Sequence, residues 1–298
     1  RVLYDAVRVV RMTRPLVVAS VFAGNVSDGH GQHQVAGLMT QEVYKAAGDP
    51  KMFPDQIAAG LQPWSPLKVY ARIPFARVTD KGIYDYATGH WAPVRFRNYV
   101  DGTWIEGVPS VSVTIPTGAY NPQIGSSYFQ LSREGLNEQK SQNGGIAVPL
   151  ASPVSSPYHL YASRVPTEAH ESTFFDGIDV SLAGIAGYAP ADQQAQWREK
   201  LNALNSSVED ALKEYDATHP EKIAPALAKG LGQTNELLAE VAKSGFSEEA
   251  RYNMTHELTI KQRQFNTALQ QALGLSLVAN VVESAGTRRM GPMGDLSM

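Results

Sequence analysis

The run Leu16-Val-Val-Ala-Ser-Val-Phe22 constrains this chain more than any other feature. It is almost continuously apolar and rich in β-branched residues, the composition of a strand buried on both faces of a parallel sheet. Helix-patterned segments flank it. Leu3, Val7 and Val10 share one helical face over residues 2–12, and Pro15 limits that helix because the residue before a proline is pushed out of the helical region. After a polar loop over residues 24–31, Val35, Leu38, Met39, Val43 and Ala46 recur with helical period until Gly48-Asp49-Pro50 stop the pattern. Helix, strand, loop and helix in this order predict an α/β layered domain on a parallel sheet.

Further on the signals are shorter. Residues 49–65 are punctuated by Pro and Gly and read as irregular, and residues 67–73 alternate as a strand. Residues 80–115 read as an insertion of β-hairpin character. Residues 124–142 predict a helix with Tyr128, Leu131 and Leu136 on its inner side, stopped by Asn143-Gly144-Gly145, and residues 159–165 predict one more strand. The composition then changes. Trp197, Leu201, Leu204, Val208, Leu212 and Tyr215 recur at steps of 4, 3, 4, 4 and 3, which marks an amphipathic helix. Residues 220–243 form a second, and Ser247 is placed to cap a third that runs to about Gly274. The expected division is an α/β domain over 1–185, a helical bundle over 186–275 and a linker or disordered tail over 276–298.

Composition removes several function classes. A net charge of −3 without a basic stripe argues against a nucleic-acid partner. The absence of cysteine excludes a disulfide scaffold, a thiolate metal site and a cysteine nucleophile. No stretch of 18 uninterrupted apolar residues exists to span a membrane.

Chemistry concentrates in Asp28-Gly-His-Gly-Gln-His33, between the buried strand and the following helix, where open α/β sheets place ligand sites. Two histidines three apart at a helix start share a face, about 5–6 Å apart at Cβ. Neutral imidazole is the commonest metal ligand, and the flanking glycines leave room for a substrate. The spacing alone serves a surface histidine pair equally well. His90, His159, His170, His219 and His256 read as structural or solvated, with His159 able to line a cleft. Arg72 and Arg164 sit in strand-like runs from which a guanidinium reaches sugar hydroxyls or a carboxylate.

The run ending at Phe22, followed by Asp28-Gly-His-Gly-Gln-His33-Gln-Val-Ala-Gly37, resembles the second metal motif of the LmbE-like (PIG-L) zinc-dependent N-acetylglucosamine deacetylases. The resemblance implies a Rossmann-like sheet, present here in part, with His33 as a ligand of Zn2+. It implies an electrostatic or acid role for His30 beside the substrate, and makes Asp28 a catalytic-site residue that supports the ligand or, alternatively, a loop cap. Arg133-Glu-Gly-Leu-Asn-Glu-Gln139-Lys-Ser-Gln142 resembles a family segment ending in His-x-Ser-Gln. That implies substrate-side roles for Ser141 and Gln142, to which the strand position of Arg72 independently adds a substrate-binding candidate, while Gln139 departs from the family's histidine. Ser172-Thr-Phe-Phe-Asp176-Gly-Ile-Asp179 is similar to a stretch of the larger bacterial members.

The family's first motif, Ala-His-Pro-Asp-Asp-Glu, which supplies two zinc ligands and the general base, has no counterpart in the chain. The expectation is a segment of a longer polypeptide with further domains upstream and downstream, acting on an N-acetylated sugar or glycoconjugate. One imidazole cannot hold zinc in a three-ligand site, so these residues alone should bind zinc weakly and lack deacetylase activity. The alternative is a non-catalytic carbohydrate-binding or scaffold relative. Larger members of this kind are commonly exported, so a secreted or periplasmic location is the weaker expectation.

Overall fold

The computed structural model describes residues 1–74, 78–141 and 145–278. Gln142, the Asn143-Gly144 helix stop and the tail beyond residue 278 lie outside the described residues. The chain divides into two compact units, Arg1–Asp179 and a second beginning at Val180. No helix among the described residues is long and apolar enough to cross a membrane.

The first unit is a mixed α/β layer. Helix α1 (Val2–Thr13) leads into β1 (Val17–Ser20), and α2 (Gly31–Ala46) and the short α3 (Pro54–Ala58) precede β2 (Lys68–Arg72). β1 and β2 pair in parallel because the α2 crossover returns the chain in the same direction. The expected parallel sheet goes no further. β9 (Ser156–Ser163) pairs antiparallel with β2, and β8 (Val113–Ile115) pairs antiparallel with β9, giving the order β1-β2-β9-β8. Parallel pairing needs a packed crossover helix, and between β2 and β9 the sequence supplies short strands and the surface helix α4 (Tyr128–Asn137).

β1 is also less enclosed than its apolar run predicts. α2 packs on one face of the sheet through Tyr44, against Val18, Val69, Ala71 and Tyr161, while Ala19 on the other face is exposed. The helix expected over residues 124–142 begins at Tyr128, where Ser127 accepts the Gln130 amide at 3.0 Å. None of its residues is buried, and Tyr128 is 59% exposed. At 100° per residue, Tyr128, Leu131 and Leu136 spread over roughly 140° of helix surface, too wide for one buried stripe on ten residues.

Residues 78–107 form the β-rich insertion. β3 (Val78–Thr79), β4 (Gly82–Asp85) and β5 (His90–Ala92) make an antiparallel sheet, and β6 (Arg95–Arg97) pairs with β7 (Trp104–Glu106) as a hairpin. Their inward residues Ile83, Phe96 and Ile105 close over Ala23 and Val26 of the loop that follows β1.

The second unit is helical. α5 (Gln194–Glu214), α6 (Ala224–Lys243) and α7 (Glu248–Ala272) surround one core containing Trp197, Leu201, Leu204, Leu237, Val241 and Phe265. Ser247 caps α7, accepting from the Ala250 amide at 3.2 Å. The α5 stripe drifts at its end. Leu212 and Tyr215 are exposed while Ala211 takes the buried position, because successive four-residue steps advance about 40° each around the helix.

Candidate functional site: a histidine pair on a capped loop

The site is built from the loop between β1 and α2. Asn25 starts a single 3-10 turn over Val26–Asp28, its Oδ1 accepting the Ser27 amide at 2.9 Å. The Asp28 carboxylate reaches back and accepts the amides of Ala23, Gly24 and Asn25 at 3.1, 2.7 and 3.1 Å. Burial pushes the Asp28 carboxyl pKa up, and those three N–H groups, with a smaller contribution from His33, pull it back. This carboxylate is committed to the loop, so the structure gives Asp28 the loop-capping role rather than direct chemistry. Its backbone carbonyl does a second job: it lies 3.1 Å from Nδ1 of His33.

That contact defines His33. With Nδ1–H donated to a carbonyl, the neutral ring keeps its lone pair on Nε2, the orientation in which imidazole binds a metal. The ring is half-buried and stacks on Phe22, with centroids 4.2 Å apart and planes 11° apart. His30 is the N-cap residue of α2, yet its side chain makes no capping bond. It is exposed and lies parallel to His33 at 5.3 Å between centroids. The resulting stack is Phe22, His33, His30, running from the end of β1 outward over the helix start.

Close backbone packing fixes this arrangement. A Cβ on Gly37 would fall 2.3 Å from the Gly24 nitrogen and 2.8 Å from the Phe22 carbonyl oxygen. Gly24 itself has φ of +84°, which favours glycine. Around it, Tyr99 donates its hydroxyl to the Gly24 carbonyl at 2.8 Å, and Gln41 donates to the Ala23 carbonyl at 3.2 Å and accepts the Tyr99 amide at 2.8 Å. Gly37→Ala should therefore lower stability by about 1–3 kcal/mol through backbone overpacking. Gly31→Ala, where an added methyl meets nothing within 4 Å, is the control. Urea denaturation of both variants checks this, and equal midpoints would refute the close-approach argument.

The structure brings Asp28, His30 and His33 together and leaves the other expected residues elsewhere. Arg72 shares its strand face with Lys68 and Tyr70, which bond Glu171, whereas Val69 and Ala71 on the opposite face pack toward α2. Ser141 is exposed in the turn after α4, and no described hydrogen bond ties it to the histidines. Arg164, considered for the cleft, clamps the fold instead: it donates to the carbonyls of Pro66 and Tyr44 at 2.7 and 2.9 Å and lies over the Tyr44 ring at 3.7 Å.

His159, read from the sequence as structural or able to line a cleft, lies half-buried on β9. It pairs with Ala71 across the sheet and meets Tyr161 edge-on at 4.9 Å, on the face that carries α2. Its Nδ1 bonds the Ser110 carbonyl at 2.7 Å, and burial pulls its pKa down. Tyr99 and Gln41 carried no sequence signal, since they act through tertiary contacts far apart in sequence.

His33 is an oriented donor with His30 beside it, but among the described residues no three His, Asp or Glu side chains converge as a metal site. Of the described residues, His33 has the geometry of a single ligand in a site that takes three. Compared with known proteins, the chain matches no family model, no curated protein and no solved structure.

Proposed function

We propose that the chain carries the histidine-bearing part of a zinc-dependent amide hydrolase of the LmbE-like (PIG-L) kind, which removes the acetyl group from an N-acetylated amino sugar. The observation that supports it most is the His33 tautomer, with Nδ1 engaged by the Asp28 carbonyl and Nε2 left for a ligand. Zinc, when bound, would polarise the acetamide carbonyl and acidify a water. The chain's own residues do the rest. The Asp28 carboxylate holds the loop so that its carbonyl stays under His33. Phe22 fixes the plane of the ring. His30, exposed at the start of α2, is placed to donate a proton or hydrogen bond to the developing oxyanion or the leaving amine. The rings of Trp91 and Trp104, each 47% exposed, also suit the non-catalytic carbohydrate-binding alternative.

Imidazole nitrogen NMR with a zinc titration tests the hydrolase reading. His33 should show the Nδ1–H tautomer, and zinc should shift its Nε2 selectively. His33→Ala should weaken the already weak zinc affinity by at least about tenfold, whereas His170→Ala leaves it unchanged. An Nε2–H tautomer, or zinc affinity indifferent to His33, would sink the ligand assignment.

A further inference from the structure

The β6–β7 hairpin has an outward face that the histidine site does not use. Phe96 and Ile105 pair on its inward face, and Phe96 is fully buried. Arg95, Arg97, Trp104 and Glu106 therefore share the outward face, where all four are exposed. The Arg95 guanidinium lies 4.5 Å from the Trp104 ring centroid, and that of Arg97 lies 5.7 Å from it. Glu106 stands opposite Arg95 across the strands, yet no ion pair with either arginine forms among the described residues.

Arg95, Arg97 and Trp104, but not Glu106, line a recess of about 270 Å3 whose other wall includes Gly24, Asn25 and Gln34. Gly24, Asn25 and Val26 belong to the same β1–α2 loop whose Asp28 carbonyl holds His33, so the recess borders the loop that carries the histidines. A smaller recess of about 170 Å3, lined by Tyr84, Tyr86 and Trp91, shares Val26 with it. Aromatic rings exposed in this way stack on the apolar faces of pyranose rings. Two guanidiniums without a carboxylate partner match the paired oxygens of a carboxylate or phosphate. A neutral sugar chain would use the rings and leave both arginines to water.

We infer that the Arg95–Trp104–Arg97 recess is a subsite for an anionic sugar unit neighbouring the N-acetylated one, which makes the substrate an acidic glycan. The location rests on the hydrolase reading, but the binding test does not. Calorimetry on the chain at low salt would compare a tetrasaccharide alternating N-acetylglucosamine with glucuronate against a neutral N-acetylglucosamine tetramer. N-acetylglucosamine 1-phosphate distinguishes phosphate from carboxylate as the anionic group, and inorganic phosphate reports a bare anion patch.

At least one anionic sugar should bind about tenfold more tightly than the neutral tetramer. R95A/R97A should remove that preference, and W104A should weaken charged and neutral sugars alike. Both arginines are exposed, so unchanged thermal melting of R95A/R97A should accompany the loss. If that variant melts early, R95K/R97K carries the test, because it keeps the charge and loses the paired geometry. Equal affinity for charged and neutral sugars overturns the inference. So does a preference that survives the alanine pair, or inorganic phosphate that binds as tightly as the sugars. H33A separates the two ideas: it should keep the acidic preference while losing zinc. A preserved preference with a His33-independent metal would sink the hydrolase reading alone.

Discussion

Replacing Arg11 by methionine should lower the stability of the first unit by about 3–5 kcal/mol, measured by urea denaturation with a probe in that unit. Arg11 is fully buried on α1. Its Nε donates to the Ala47 carbonyl at 3.1 Å. Nη1 reaches the Phe53 carbonyl and Gln56 Oε1 at 3.4 and 3.1 Å, and Nη2 reaches the carbonyls of Asp49 and Met52 at 2.7 and 2.9 Å. The segment after α2 has little regular structure of its own, and one guanidinium satisfies its inward carbonyls. Methionine fills the volume but leaves those acceptors without donors. Burial lowers the Arg11 pKa, opposed by Asp49 and Asp55, so the charge is held at a desolvation cost that the bonds must offset. Arg11→Lys should recover little, because an ammonium cannot span acceptors arranged around a planar fork. A loss below about 1 kcal/mol would show that the loop finds other donors or water.

Glu171→Ala should be comparably damaging, at about 3–5 kcal/mol, for a different reason. Glu171 accepts from Lys68 Nζ at 2.5 Å and from the Tyr70 hydroxyl, and Lys68 and Tyr70 have no exposed surface. Burial and the neighbouring Glu171 and Asp176 push the Tyr70 hydroxyl pKa up, which keeps it a donor. Removing the carboxylate strands an ammonium in the interior with the Asp176 carbonyl, at 2.6 Å, as its remaining acceptor. The paired variant Lys68→Met with Glu171→Leu removes both charges, and should sit closer to wild type than the single alanine. A double variant worse than Glu171→Ala would contradict this account.

Both residues mark where the sequence stopped being legible. Periodicity placed α1, α2, β1, β2, β9 and the three long helices because repeated apolar spacing reports local burial directly. It could not report that β9 enters the sheet antiparallel between β2 and β8, since register and order are set by what covers each strand. Nothing in the local pattern marks Arg11 or Lys68 as buried, because their partners lie 36 to 45 and 103 residues away. The histidine pair was visible as a motif, and Gly37 as part of it. Their support was not: Asp28 contributes through a carbonyl every residue possesses, and Tyr99 through a contact 75 residues distant. Arg72 lies on the strand face of Lys68 and Tyr70, and a short alternating run cannot say which of its two faces carries the helix.

The insertion meets the loop under the histidines through the Tyr99 hydroxyl on the Gly24 carbonyl, the Asn25 side-chain amide on the Arg95 carbonyl, and Ile83, Phe96 and Ile105 packed over Ala23 and Val26; the Tyr99 amide on Gln41 and the Asn98 side-chain amide on the Tyr161 carbonyl, at 3.0 Å, tie it to α2 and β9. With its anchors confined to those inward residues, the outward face of the insertion carries no scaffold contact of its own among the described residues. Its outer hairpins can be rewritten to change what approaches the imidazoles, provided Asn98, Tyr99 and the inward phenylalanine are retained. A swap that discards those anchors alters the scaffold itself, and its effects would be mistaken for altered selectivity.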